Sequence, residues 1–179
     1  KTLGIVGLGT IGKEVARRAQ AFRMRILACD LVQDPPFAEG HGVAYVSLED
    51  LLRQSDFVSL HLFLNDASRH LINDERLALM KPTAFLINTG RGGLVDTAAL
   101  CQALQAKRIA GAALDVVEDE PLRADSPLRE LDNVYLSPHV GGATADARRL
   151  SGAMAAENLI RALKGERPEG IVNPEVLAR

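Results

Sequence analysis

Three glycines near the start of the chain restrict its possible folds more than any other feature. Gly7, Gly9 and Gly12 form a Gly-x-Gly-x-x-Gly pattern directly after an apolar segment, residues 3–7. Apolar side chains then recur at helical spacing up to Arg23, at Ile11, Val15, Ala19 and Phe22. A second apolar run, residues 25–29, ends in Asp30. A strand, a glycine turn, a helix, a strand and an acid in this order are typical of a βαβ unit that binds a dinucleotide.

Each glycine of this pattern has a physical task. We expect Gly7 to permit a tight turn, Gly9 to let the backbone approach a pyrophosphate, and Gly12 to let helix and strand pack closely. The free N–H groups and the dipole at the start of the helix favour phosphate charge. Asp30 is expected to bind the adenosine ribose hydroxyls and repel a 2′-phosphate, and residues 31–34 contain no Lys or Arg. The pattern therefore predicts NAD rather than NADP, with another Rossmann-like nucleotide binder, such as a methyltransferase, as the alternative.

Strand and helix patterns alternate along the rest of the chain. We predict strands at 43–46, 56–60, 84–88, 109–114 and 134–136, and helices capped by Ser47, Asn73, Asp96 and Thr144. The last helix is expected to run to about Lys164, with Leu150, Met154 and Leu163 on one face. Between these elements, residues 34–36 (Asp-Pro-Pro) are expected to break regular structure. The alternation predicts an α/β fold, a Rossmann-type doubly wound parallel sheet with helices on both faces.

Polar residues follow several of these predicted strands directly. Asp30, His61, Thr89 to Arg91, Asp115 and His139 each come after a strand end. Because ligands bind beyond the carboxyl ends of strands in such sheets, we expect these residues to converge on one edge.

Composition and charge limit the function classes. Apolar residues make up 47% of the 179 residues, charged residues 25%, and the net charge is −2, which is ordinary for a globular protein. Interleaved charges argue against a nucleic-acid partner, and no apolar stretch is long enough to span a membrane. Cys29 and Cys101 lack metal-site spacing, so we expect no metal and two free thiols in a reducing cytoplasm.

Four segments carry a family resemblance: residues 7–12, 87–96, 111–121 and 137–142. In this order and spacing the chain resembles the D-isomer-specific 2-hydroxyacid dehydrogenases over nearly its whole length. The resemblance implies that Arg91, Glu120 and His139 are the catalytic positions. With the glycine turn, it implies a cofactor-binding set made of Gly7, Gly9, Thr10, Ile11, Gly12, Asp30, Leu62, Thr89, Gly90, Arg91, Asp115, His139, Gly141 and Gly142.

The three catalytic positions suit the reduction of a 2-oxo acid. His139 can deliver a proton to the carbonyl oxygen near neutral pH, and Glu120 beside it would favour the imidazolium. Arg91 is a permanent cation that can polarise the carbonyl and hold the carboxylate. Asp115 is expected either to anchor the nicotinamide side or to tune the His–Glu pair. His61 is expected to line the cofactor or substrate edge or to be structural, whereas His41 and His70 are expected at the surface.

Members of this family have a second, substrate-binding domain, and the chain opens on Lys1 directly before its first strand. We therefore expect a fragment, with an NAD-binding domain at 1–165, an exit linker at 166–179, and little or no turnover as given. The substrate is a small 2-hydroxy or 2-oxo acid; phosphoglycerate, glycerate with hydroxypyruvate or glyoxylate, and lactate stay open. The resemblance also suggests a homodimer formed through the last helix and residues 122–136. An NAD-sensing scaffold resembling the transcriptional corepressors of this fold is the alternative function.

Overall fold

Parallel strands make the framework of the protein, whose computed structural model describes residues 1–178. The strands are β1 (Thr2–Val6), β2 (Arg25–Cys29), β3 (Val43–Tyr45), β4 (Phe57–Leu60), β5 (Phe85–Asn88), β6 (Gly111–Leu114) and β7 (Val134–Leu136). The helices are α1 (Thr10–Ala21), α2 (Pro35–Gly40), α3 (Leu48–Gln54), α4 (Asp74–Leu77), α5 (Thr97–Gln105) and α6 (Ala145–Leu163). Short 3₁₀ turns occur at Gly92–Leu94, Pro127–Glu130 and Pro174–Ala178.

The strands form one sheet in the order β3-β2-β1-β4-β5-β6-β7, and every neighbouring pair is parallel. The predicted Rossmann-type sheet is therefore confirmed. The chain reverses its direction across the sheet between β1 and β4, which is where such sheets open a crevice for a ligand. Since all strands are parallel, the segments that follow β2, β4, β5, β6 and β7 lie at the same edge, as predicted.

Apolar side chains fill two layers, one on each face of the sheet. Alternate residues of β1 point to opposite faces, so Leu3 and Ile5 pack with Ala16 and Ala19 of α1. Val6 instead belongs to the larger cluster with α3 and α5. Both layers are nearly free of solvent contact, which fixes the strand ends that carry the polar residues.

Two aromatic side chains depart from the expected burial on both faces. Phe85, in the inner strand β5, is 42% exposed, and Tyr135, in the edge strand β7, is 72% exposed. Phe85 stacks on Phe57, with ring centroids 5.8 Å apart. An apolar sequence in a strand therefore does not guarantee that both faces of that strand are covered.

Residues 34–36 do not break regular structure, which corrects the prediction. The Asp34 side chain accepts a hydrogen bond from the Phe37 N–H at 3.1 Å, and Pro35 and Pro36 occupy the first positions of α2. Proline suits these positions because its missing N–H would have no partner in the first turn. The helix after Asn73, which the sequence predicts to run through Met80, ends at Leu77.

The chain divides into two compact units, Lys1–His139 and Val140–Arg179. In the second unit Thr144 caps α6 by accepting a hydrogen bond from the Ala147 N–H, as predicted, and α6 buries none of its residues. Leu150, Met154 and Leu163 are all exposed. The Asn158 side chain exchanges two hydrogen bonds with the backbone of Glu169. The boundary at residue 165 stays a prediction, and Arg179 of the predicted linker lies outside the described residues.

Candidate functional site at the carboxyl edge of the sheet

The glycine turn has the geometry that its sequence predicts. Gly7 adopts a φ of +95°, and a Cβ there would lie 2.8 Å from the His61 carbonyl oxygen. At Gly12 a Cβ would collide with the carbonyl oxygen of Gly7 and lie 3.2 Å from Ile5 Cγ2. These two glycines therefore let β1, α1 and the end of β4 approach one another.

Gly9, in contrast to Gly7 and Gly12, lies beside open space. Within the described chain, a Cβ at Gly9 would meet no atom within 4 Å. Gly9 is the N-cap of α1, and no side chain caps the helix and no acid lies in its first turn. Thr10 and Ile11 begin this turn. An uncapped helix start beside open space suits the pyrophosphate of a dinucleotide, since the N–H groups and the dipole both attract an anion.

A cavity of about 550 Å³, which we call the glycine-loop cavity, opens beside this turn. The structure brings Gly7, Gly9, Asp30 and Leu62 of the predicted cofactor set to its wall. The remaining lining residues are Leu8, Lys13, Val32, Gln33, Asp34, Pro35, His61 and Phe63. Its volume lies in the range of small-molecule and cofactor sites.

Asp30 holds the glycine turn as well as facing the cavity. Its carboxylate accepts hydrogen bonds from the Leu8 N–H at 2.6 Å and the Val32 N–H at 3.1 Å. Each oxygen of an ionised carboxylate has two acceptor sites, so both retain capacity for a ribose hydroxyl. The ribose contact of Asp30 stays a prediction.

Sequence reasoning missed Lys13 as a residue of this cavity. Its ammonium lies 2.5 Å from Asp34 Oδ2 and 5.2 Å from the centre of the Phe37 ring. The hydrogen bond from Lys13 lowers the pKa of Asp34 below its ordinary value. A cation one turn after Gly9 was a usable signal, but the sequence did not indicate that Asp34 would neutralise it.

His61 is half-buried at the end of β4 and lines the glycine-loop cavity. Its Nε2 lies 2.9 Å from the Ser59 hydroxyl, and burial lowers the pKa of His61 below its ordinary value. A neutral ring that pairs with Ser59 fits a structural role at the rim of this cavity.

A second cavity of about 550 Å³, the His139 cavity, lies beyond the ends of β6 and β7. Asp115, Glu120, Ser137 and His139 contribute to its wall. His139 Nδ1 lies 2.7 Å from Glu120 Oε2, and Glu120 Oε1 accepts a hydrogen bond from the Val117 N–H at 3.2 Å. The predicted neighbours His139 and Glu120 are thus paired, although 19 residues separate them in the chain.

The backbone of His139 is held in an uncommon conformation. Its φ is +52°, in the left-handed region that side chains with a Cβ rarely adopt. The His139 N–H donates to the carbonyl oxygens of Asp115 at 2.9 Å and Ser137 at 3.0 Å. The Ser137 hydroxyl donates to Asp115 Oδ1 at 2.6 Å. Asp115 is buried, so it fixes the backbone that carries the imidazole; such strained residues cluster at functional sites.

Arg91 lies in the turn after β5. It is not among the described residues that line either cavity. Its guanidinium donates to the Gly90 carbonyl at 2.8 Å, and the Asn88 side chain bonds to the backbone of both Gly90 and Arg91. A Cβ at Gly90 would lie 3.3 Å from the Leu62 carbonyl oxygen. Gly90 therefore packs beside a residue that lines the glycine-loop cavity, and Thr89 is exposed.

His41 and His70, which were expected at the surface, are partly exposed, and each has a partner: His41 stacks on Phe37, and His70 Nε2 lies 2.7 Å from Glu118 Oε1. Gly141 and Gly142 belong to the second unit, ahead of Thr144.

Among residues 1–178 there is no group of three or more His, Cys, Asp or Glu side chains that could hold a metal ion, and no helix is long and apolar enough to cross a membrane.

Comparisons with known proteins identify the family of this chain. Residues 1–141 match the family described as D-isomer specific 2-hydroxyacid dehydrogenase, NAD binding domain. The chain is 51% identical over 177 residues to a glyoxylate reductase of Korarchaeum cryptofilum and 50% identical to one of Aeropyrum pernix, covering 99% of this chain and 53% of each relative. The chain thus spans about half the length of the curated relatives it matches.

Solved structures give the same result. The crystal structure of D-lactate dehydrogenase with NAD⁺ from Lactobacillus jensenii superposes with a TM-score of 0.88 at 33% identity, over 96% of this chain and 55% of that one. A glyoxylate reductase from Paecilomyes thermophila gives a TM-score of 0.85 at 42% identity, over 93% of this chain and 51% of that one. These relatives are reductases and dehydrogenases and do not support the corepressor alternative. The chain belongs to the D-isomer-specific 2-hydroxyacid dehydrogenases and forms their NAD-binding domain.

Proposed function

We propose that this chain is the coenzyme-binding and proton-transferring part of an enzyme that interconverts a 2-oxo acid and a D-2-hydroxy acid. The observation that carries the proposal is the hydrogen-bonded pair of His139 and Glu120 in a cavity at the carboxyl edge of the sheet. An imidazole oriented by a carboxylate is the arrangement that general acid–base catalysis requires.

The open start of α1 and the glycine-loop cavity fit the coenzyme. Gly9, Thr10 and Ile11 would face the pyrophosphate, and Asp30 would accept hydrogen bonds from the adenosine ribose. Bound NADH supplies the hydride that C2 of the substrate receives. Around it, this chain's residues position the coenzyme and the substrate.

His139 supplies the proton in the reductive direction. Its Nδ1 is engaged by Glu120, which leaves Nε2 as the ring nitrogen for the substrate carbonyl oxygen. In this transfer the Nε2–H bond breaks as the new O–H bond forms. In the oxidative direction neutral His139 accepts that proton from the hydroxyl group.

Arg91 would bind the acid substrate. Its guanidinium is exposed at the strand end and is permanently charged, and its planar fork matches a carboxylate. A cation near the carbonyl also stabilises the negative charge that develops on its oxygen during the transfer. We include Arg91 as the third catalytic residue on these chemical grounds.

Glyoxylate and pyruvate are the first substrates to test, since the relatives are named glyoxylate reductase and D-lactate dehydrogenase.

A homodimer is part of the proposal, because α6 exposes Leu150, Leu159 and Leu163, and the 122–136 segment exposes Tyr135. Light scattering on purified protein tests this assembly. The free thiols Cys29 and Cys101 support a reducing compartment such as the cytoplasm.

The deciding experiment replaces His139 by Asn in the protein as its gene encodes it. Asn tolerates the left-handed backbone of this position, so the loop is preserved while the titrating group is lost. Loss of general acid–base catalysis should lower kcat for glyoxylate or pyruvate about 10²- to 10⁴-fold, with the Kd of NADH unchanged. His41→Asn is the matched control, because His41 lines neither cavity within the described residues. Equal activity of both variants would overturn the assignment of His139.

A further inference from the structure

Glu118 is the centre of a side-chain cluster that the proposed reaction does not use. Its Oε1 accepts hydrogen bonds from Arg69 Nη2 and from His70 Nε2, each at 2.7 Å. Thr97 Oγ1, at the start of α5, donates to Glu118 Oε2 at 3.4 Å. We call Glu118, Arg69, His70 and Thr97 the Glu118 cluster. It joins the loop after β4, the start of α5 and the loop after β6.

The carboxylate of Glu118 is not an ordinary surface group. Its side chain is only 24% exposed, against 56% for Arg69. Burial raises the pKa of Glu118, but the hydrogen bond and charge of His70 and the charge of Arg69 outweigh this effect, and the net pKa is lowered. The loop after β6 therefore carries an ionised, half-buried anchor that the loop after β4 neutralises.

The loop carrying Glu118 also packs on the turn that carries Arg91. A Cβ at Gly92 would collide with the carbonyl of Val117 and lie 2.5 Å from the Glu118 nitrogen. Val117 precedes Glu118 in the chain, and its N–H donates a hydrogen bond to Glu120 Oε1. The other oxygen of Glu120, Oε2, lies 2.7 Å from His139 Nδ1. Glu118 thus lies at the point where the segments bearing Arg91 and Glu120 touch.

We propose that Glu118 is a positioning residue that fixes the Val117–Glu120 segment, and through it the orientation of the His139 imidazole. The juxtaposition that supports this role is the Glu118 cluster on one side of the segment and the Glu120–His139 pair on the other. Without the anchor, the segment loses its hydrogen bonds to the loop after β4 and to the start of α5, and the Glu120 carboxylate can leave His139 Nδ1. The role assigned to Glu118 rests on the proposed function, because it acts through the proposed proton donor.

Glu118→Gln removes the charge while keeping the size of the side chain, and Asp119→Asn is the matched control. Asp119 is the neighbouring acid, is exposed, and loses the same charge in the same loop. The first measurement is the ¹⁵N chemical shift of His139 Nδ1 by NMR in protein labelled with ¹⁵N-histidine, assigned by the signals lost in His139→Gln. We expect this signal to move in Glu118→Gln, because Nδ1 loses its hydrogen bond to Glu120, and to stay at the wild-type position in Asp119→Asn. Identical Nδ1 signals in both variants would overturn the proposal.

The second measurement is the rate of 2-oxo acid reduction. A misplaced proton donor should lower kcat on the order of 10-fold in Glu118→Gln and leave the Kd of NADH unchanged, since the glycine-loop cavity is untouched. Where Glu118→Gln does not fold, Arg69→Met tests the same role, because Arg69 is exposed and its loss removes one donor to Glu118. Arg69→Met should move the His139 Nδ1 signal in the same direction as Glu118→Gln, and an unchanged signal counts against the role of Glu118.

The two proposals fail in different ways. If the wild-type protein that the gene encodes binds NADH but reduces no 2-oxo acid, the proposed function is contradicted, while the His139 Nδ1 signal still reports whether Glu118 holds the pair. If that wild type is active and Glu118→Gln matches Asp119→Asn in both the Nδ1 signal and kcat, the role of Glu118 alone is contradicted.

Discussion

Replacing Gly9 and Gly12 separately by Ala should divide the work of the glycine turn between coenzyme binding and folding. The two glycines lie in the same turn, three residues apart, but their surroundings differ. At Gly12 the new methyl group would overlap the Gly7 carbonyl and lie 3.2 Å from Ile5, whereas at Gly9 it would meet no described atom within 4 Å. One position is closed by the protein itself, and the other is open for a ligand.

The magnitudes follow from these contacts. At position 12 the obstacle is backbone, so we take the upper end of the overpacking range, about 3 kcal/mol. Alanine is up to about 1 kcal/mol better than glycine in a helix. The difference is a loss of roughly 2 kcal/mol in the free energy of unfolding, or about 4–8 °C in Tm for a chain of this size. At position 9 the backbone angles suit alanine, and a poorer N-cap costs about 1 kcal/mol or less.

For coenzyme affinity the order of the two variants is reversed: Gly9→Ala is the variant that should weaken NADH binding. A methyl group at Gly9 stands where the pyrophosphate must approach, and overpacking of about 1–3 kcal/mol weakens the Kd of NADH by roughly 5- to 150-fold. Urea unfolding and calorimetric titration with NADH measure both quantities on the same samples. Wild-type NADH affinity in Gly9→Ala, or wild-type stability in Gly12→Ala, would refute this division of roles.

Two further predictions concern His61 and Asp30. Burial lowers the pKa of His61 from its ordinary value of about 6.5, so on acidification the unfolded chain takes up this proton first. The free energy of unfolding should therefore fall as the pH drops below about 6.5, and urea unfolding between pH 8 and about pH 5 should show a smaller fall in His61→Gln; equal slopes contradict this. Asp30 should make wild-type NADH binding at least about 10-fold tighter than NADPH binding, and Asp30→Ala should narrow this ratio in calorimetry. Tighter NADPH binding by the wild type would contradict the role of Asp30.

The sequence by itself determined the framework of this protein. Apolar runs of strand length, separated by amphipathic helices, permit little other than a parallel sheet, because each helix carries the chain back to the edge of the sheet where the previous strand began. The spacing of Gly7, Gly9 and Gly12 determined the turn, because these positions lie within one turn and its flanking elements. Local chemistry likewise determined the caps at Ser47, Asn73, Asp96 and Thr144, where each side chain accepts a nearby backbone N–H.

Tertiary structure alone decided which side chains meet across the edge of the sheet. Lys13 pairs with Asp34, Ser137 with Asp115, and Glu118 with Arg69 and His70, and the partners are 21 to 49 residues apart in the chain. Periodicity contains no information about such pairs, because the direction of a side chain in a loop depends on backbone angles that neighbouring segments impose. The left-handed backbone of His139 is one example, since it is held by the carbonyl oxygens of Asp115 and Ser137. The burial of Glu118 is another, because the energy to desolvate a carboxylate comes only from donors on another loop.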